Sequence, residues 1–163
     1  MPDEAGPEAC APVMASQADS AQDSEPVWQV RIRQAVLEQI VAHASVEVPN
    51  ECCGLLIGTP DRVERAVGAR NLRVSPSRYQ IDPADHFAAI KEARAIGLTV
   101  VGAYHSHPSS PPVPSDTDAE EATYSEYLYL IVSPGGDQGV EGETRGYRLV
   151  EGNFRPVALA AIP

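Results

Sequence analysis

Three cysteines are all that this 163-residue chain contains, and two of them, Cys52 and Cys53, are adjacent. That arrangement excludes a disulfide framework and suits a reducing compartment. Basic residues are also few: 12 Lys and Arg stand against 23 Asp and Glu, for a net charge of −11. Residues 1–27 hold six of those acids and no Lys or Arg, which leaves the remainder at only −5. With no basic patch there is no counterion-release term to hold a phosphate backbone, so nucleic acid is excluded as a partner. The start of the chain lacks the basic stretch and apolar run of a secretory signal. No apolar run approaches the roughly 18 residues of a membrane span. The expectation is a cytoplasmic protein that does not cross a membrane.

Residues 1–26 are rich in Ala, Ser, Pro, Gln, Asp and Glu. Such a segment buries too little apolar surface to offset its ordering entropy, so it is expected to be a disordered acidic tail. Residues 27–163 are then one folded domain, long enough for a core of its own.

In "VWQVRIR" the apolar positions Trp28, Val30 and Ile32 alternate with polar ones, which predicts a strand. "QAVLEQIVAHASVEV" carries Val36, Leu37, Ile40 and Val41 at helical spacing. "ECCGLLIGTPDRVERAVGARN" predicts two strands joined by a Thr-Pro-Asp turn. "DPADHFAAIKEARAIG" predicts a helix with Asp82 as N-cap, Pro83 at its first position and Gly97 as its stop. The apolar run "LTVVGAYHSHP" predicts a buried strand, followed by a short helix from Ser115 and strands at "YLYLIVS", "GETRGYRLV" and "FRPVALA". Helices interleave with strands early and strands dominate late. The fold class is α/β, a single mixed sheet flanked by helices.

The chemistry is concentrated in "HSHPSSPPVPSDTD", residues 105–118. His105 and His107 are two apart at the end of a strand, so both imidazoles face one side while Ser106 faces the other. Four prolines (108, 111, 112 and 114) end the strand and stiffen the path back to "SDTD". Two neutral imidazoles and one carboxylate leave the fourth position of a tetrahedral zinc open, the pattern of a hydrolytic centre. A plainer explanation exists for each piece. Ser115 and Asp118 fit a capping box, and Asp116 and Asp118 both suit the positive end of a helix.

His-x-His, seven residues, then Ser-x-x-Asp resembles the signature of the JAMM (MPN-plus) zinc metalloproteases, matched by His105, His107, Ser115 and Asp118. "ECCGLLIG", Glu51–Gly58, resembles the glutamate-bearing stretch these proteins carry upstream, and "YQIDPADHFAAI" resembles the segment leading into their middle helix. The resemblance spans residues 28–158. It implies that His105, His107 and Asp118 hold Zn²⁺, that Glu51 is the general acid–base, and that Ser115 stabilises the oxyanion. It also implies hydrolysis of the amide or isopeptide bond after the C-terminal glycine of a ubiquitin-like protein. The short chain, with its tight connections, is most similar to compact prokaryotic members acting on ubiquitin-like sulfur carriers.

The alternatives are a non-catalytic scaffold of the same fold and a peptidase acting on cell-wall or other peptides. The first is disfavoured because every motif residue is present. The second is disfavoured because such domains come joined to a further hydrolase domain and act outside the cell. Of the other candidates, Cys53 shares a face with Glu51 and is expected to be a small buried hydrophobe, with Cys52 turned to the core. His43 and His86 are expected to be ordinary helix residues. Tyr124, Tyr127 and Tyr129 are expected to be core or sheet-face aromatics.

Overall fold

The computed structural model describes residues 28–136 and 142–163; the acidic segment 1–26 lies outside them. Strand β1 (Gln29–Arg33) runs straight into helix α1 (Gln34–Glu47). The hairpin of β2 (Cys53–Thr59) and β3 (Arg62–Ala69) follows, then α2 (Pro83–Ala95) and β4 (Thr99–Ser106). A short helix α3 (Asp116–Glu121) precedes β5 (Leu128–Ser133), β6 (Glu143–Val150) and β7 (Asn153–Ile162). The α/β class and the mixed sheet with its helices are as the sequence predicts.

The strands pair in the order β1-β3-β2-β4-β5-β6-β7, and a parallel β1–β7 pair closes them into a barrel. That closure goes beyond the sequence reading. The local signals behave as expected. Asp82 Oδ1 accepts the Ala84 N–H at 2.8 Å to cap α2, and Gly97 takes the left-handed φ of +73° that ends it.

Two side-chain layers follow from the pleat. Val36, Ile40 and Ala44 of α1 pack on Leu56, Tyr104, Leu130 and Val132 in the main core. On the opposite face, Ala89 of α2 packs on Leu55 and Ala103. The register shifts between Leu56 and Ile57, which pair with Gly102 and Val100 and leave Val101 as a bulge. Beyond it Gly102, Tyr104 and Ser106 alternate with Ala103 and His105. The histidine therefore points to the α2 side. No described helix is long and apolar enough to cross a membrane.

Candidate metal centre

β4 is buried at its C-terminal half, and His105 stands at its end, in register with Cys53 of β2 and Ile131 of β5. Ser106 turns to the other face, where its Oγ accepts the Cys52 N–H at 2.8 Å. His107 follows just past the strand, its own N–H donating to the Val132 carbonyl at 2.8 Å. Both imidazoles are buried. Their Nε2 atoms lie 3.2 Å apart.

The proline-rich return is pinned at two consecutive carbonyls. His107 Nδ1 donates to Pro111 O at 2.9 Å, and the Tyr147 hydroxyl donates to Pro112 O at 2.8 Å. With Nδ1 committed, His107 keeps a lone pair on Nε2, the tautomer a metal requires. The loop then enters α3 through a complete capping box. Ser115 Oγ accepts the Asp118 N–H at 3.1 Å, and Asp118 Oδ2 accepts the Ser115 N–H at 2.7 Å. That same carboxylate meets both histidines: Oδ1 is 3.1 Å from His105 Nε2 and Oδ2 is 3.2 Å from His107 Nε2. Capping the helix and closing the histidine cluster are one arrangement of one side chain. Asp116 is exposed and takes no part.

The electrostatics fit a cation. Burial opposes charge on Asp118, yet the facing imidazoles of His105 and His107 and the Ser115 N–H hold its carboxyl well below the usual range. Burial pulls His105 down, whereas for His107 the pairing with Asp118 and Pro111 O outweighs burial and raises it. Two imidazole nitrogens facing each other at 3.2 Å repel unless a proton or a cation lies between them. Donors bonded at 2.0–2.1 Å to a tetrahedral zinc sit roughly 3.3 Å from one another. The spacing of these three, 3.1–3.2 Å, suits such an ion. His105, His107 and Asp118 form a metal-competent group among the described residues.

Glu51 lies just ahead of β2 and is buried, with Oε2 lacking any hydrogen-bond partner. Burial, opposed by the charge of His107 and reinforced by Asp118 and Glu121, pushes its carboxyl up to about 7. Its backbone is held by the segment after β3. The Glu51 N–H donates to Ser75 O at 2.8 Å, and its carbonyl accepts from Asn71 Nδ2 at 3.0 Å. A buried carboxylate near neutrality beside such a cluster has the protonation balance of an acid–base catalyst.

Cys52 lies in the main core and Cys53 is fully buried, both with thiols raised by burial. His43 lies on α1 with Nδ1 2.8 Å from the Tyr104 hydroxyl. His86, on α2, has Nε2 3.2 Å from the Tyr127 hydroxyl. Neither joins the cluster. The sequence assigns no role to Tyr79, yet its ring stacks on His105 with centroids 4.3 Å apart. Its signal is its place at the head of "YQIDPADHFAAI".

Fold and site together describe a small α/β domain with a buried His-His-Asp group able to hold a metal ion. Residues 33–149, well over half of the chain, match the family of prokaryotic homologs of the JAB domain, and the chain belongs to that family. It is similar to a desampylase of Haloferax volcanii, 38% identical over 107 residues that cover 64% of this chain and 77% of that one. It is also similar to the CysO-cysteine peptidase of Mycobacterium tuberculosis, 33% identical over 131 residues, covering 77% and 86%. A solution structure of a protein from Desulfitobacterium hafniense superposes with a TM-score of 0.74 at 30% identity, covering 82% of this chain and 92% of that one.

Proposed function

We propose that residues 27–163 form a zinc peptidase that hydrolyses the amide or isopeptide bond after the C-terminal glycine of a ubiquitin-like or sulfur-carrier protein. The observation that carries this is the convergence of His105 Nε2, His107 Nε2 and the Asp118 carboxylate beside buried Glu51. The names of the relatives, a desampylase and a CysO-cysteine peptidase, supply the substrate class.

His105, His107 and Asp118 would hold the ion, and zinc is favoured by a ligand set of two imidazoles and one carboxylate. A bound zinc supplies Lewis acidity, lowering the pKa of water and polarising the scissile carbonyl. Glu51 does the proton work. Raised by its burial, the Glu51 carboxyl would accept a proton from the attacking water and deliver it to the departing amine. The Ser115 hydroxyl uses a lone pair to cap α3, so its hydrogen remains to bond the developing oxyanion. Pro111 O fixes the His107 tautomer through the cycle.

The test is a carrier whose last glycine is joined to cysteine, followed by intact mass. Zinc-loaded protein should remove one cysteine residue mass and leave a free glycine carboxylate, and a chelator should stop it. Glu51→Gln should retain zinc and lose nearly all hydrolysis, because an amide cannot take the proton. Cleavage of unrelated peptides with no glycine-tailed carrier cut would sink the substrate assignment.

A further inference from the structure

Two rows of side chains cross the sheet on the α2 side. The first is Cys53, His105 and Ile131, paired in register across β2, β4 and β5; two residues away on each strand, forward on the antiparallel β2 and back on β4 and β5, stand Leu55, Ala103 and Tyr129, also in register. The two rows share a face, about 7 Å apart along the strands. The second row floors a cavity of about 330 Å³. Tyr79, Tyr124, Tyr127 and Ile81 are among its walls, and Arg73 and Glu121 contribute the charges. Tyr124 and Tyr127 stack at 4.4 Å, and His86 lies within hydrogen-bond distance of the Tyr127 hydroxyl. Tyr79 is common to both places, lining the cavity and lying flat on His105. Ala103 is what leaves the floor open. A larger side chain there would fill the space.

We infer that this cavity is a specificity pocket for the carrier tail, taking an apolar side chain on the third residue back from the bond cut, counting the terminal glycine as the first. The inference rests on the hydrolase reading above. An extended peptide advances about 3.3 Å per residue and alternates its side chains, so the residue two before the scissile carbonyl reaches about 7 Å along the same side. That step matches the spacing between the His105 row and the Ala103 row. The cavity belongs to the acyl side because the leaving group of this reading is a small amine such as cysteine, too short and too polar for an apolar chamber of this size. Leu55, Ala103, Ile81 and the tyrosine rings favour a leucine- or phenylalanine-sized side chain over a charged one.

The test uses tail peptides ending in X-Gly-Gly joined to cysteine, with X as Leu, Ala or Asp. Zinc-loaded full-length protein should cleave the Leu tail at least about tenfold more efficiently than the Ala tail in kcat/KM, with Asp poorer still. The corresponding free X-Gly-Gly tails should rank the same way in Kd for chelator-treated protein, read by calorimetry. Ala103→Leu should erase the Leu preference in both measurements. Ala103→Val, a smaller intrusion, should reduce the preference part of the way and guards against a folding defect in the larger variant. Equal cleavage of Leu and Ala tails by wild-type protein, or a preference that survives Ala103→Leu, overturns the pocket and leaves the hydrolase standing. If no tail is cut, the proposed function falls, and the Kd ranking alone decides whether the cavity reads an apolar side chain.

Discussion

The ring of Tyr79 lies on the imidazole of His105 with centroids 4.3 Å apart and planes 16° from parallel. His107 is fixed through Nδ1 by Pro111 O, and the Nε2 of His105 faces Asp118 Oδ1 at 3.1 Å. The stack adds a lateral restraint on the face of the His105 ring. Aromatic pairs of this kind contribute about 0.5–1.5 kcal/mol beyond burial, worth roughly two- to tenfold in an equilibrium. Tyr79→Ala should weaken zinc binding by that factor, and Tyr79→Phe should not. Competition against a chelator of known affinity measures both, and wild-type affinity in Tyr79→Ala would remove the restraint from the account.

Asp118 and Asp116 open the same helix but differ in what they touch. Asp118→Ala should abolish tight zinc binding, because it removes the carboxylate that meets both imidazoles. It should also lower stability by about 1 kcal/mol through loss of half of the capping box. Asp116→Ala should keep the metal. Metal analysis of the two purified variants decides between them, and equal retention would reduce "SDTD" to a helix start.

The convergence of His105, His107 and Asp118 and the Ser115 cap are legible because strand alternation and a helix start dictate where these side chains go. The capping box and a metal site are competing explanations of Ser115 and Asp118 in the sequence, and the geometry makes them compatible. A carboxylate has lone pairs enough to accept the Ser115 N–H and still face two imidazoles. Barrel closure was not legible, since the β1–β7 pair joins segments more than a hundred residues apart and leaves no local pattern. Tyr79 was hidden for the same reason. Its stack on His105 depends on how the segment between β3 and α2 folds back over the sheet, and no periodicity encodes that.

Away from the site, burial depresses the imidazole of His43, only partly offset by the charge of Glu47. The folded state thus favours neutral His43 more than the unfolded chain does. Its stabilising contribution is complete above the unfolded value of about 6.5 and is lost as pH falls through the lower folded value. His43→Gln keeps an acceptor for the Tyr104 hydroxyl and cannot titrate. Between pH 7.5 and 5.5, metal-free wild type should lose more stability than metal-free His43→Gln in urea melts. Parallel losses would show that His43 does not contribute to the acid sensitivity.

Asn71 holds the segment that carries Glu51's backbone partners. Its Nδ2 donates to Glu51 O at 3.0 Å and Arg78 O at 3.1 Å, while its Oδ1 accepts the N–H groups of Arg73 and Gln80, each at 3.0 Å. One amide thus ties Glu51, the proposed general acid–base, to both ends of the loop bearing Tyr79. Removing four hydrogen bonds, some replaceable by water, should cost on the order of 2 kcal/mol in Asn71→Ala. Asn71→Asp separates stability from placement. It keeps the acceptor for Arg73 and Gln80 but sets a carboxylate against two carbonyls, pushing Glu51 away from its position. A displacement near 1 Å at a catalytic group costs up to about a hundredfold in rate. Asn71→Asp should therefore fold and bind zinc as wild type does, yet lose at least tenfold in kcat with little change in KM. Wild-type kcat in a well-folded Asn71→Asp would mean that Glu51 is positioned without this loop, and that its buried carboxylate is held by the β2 strand alone.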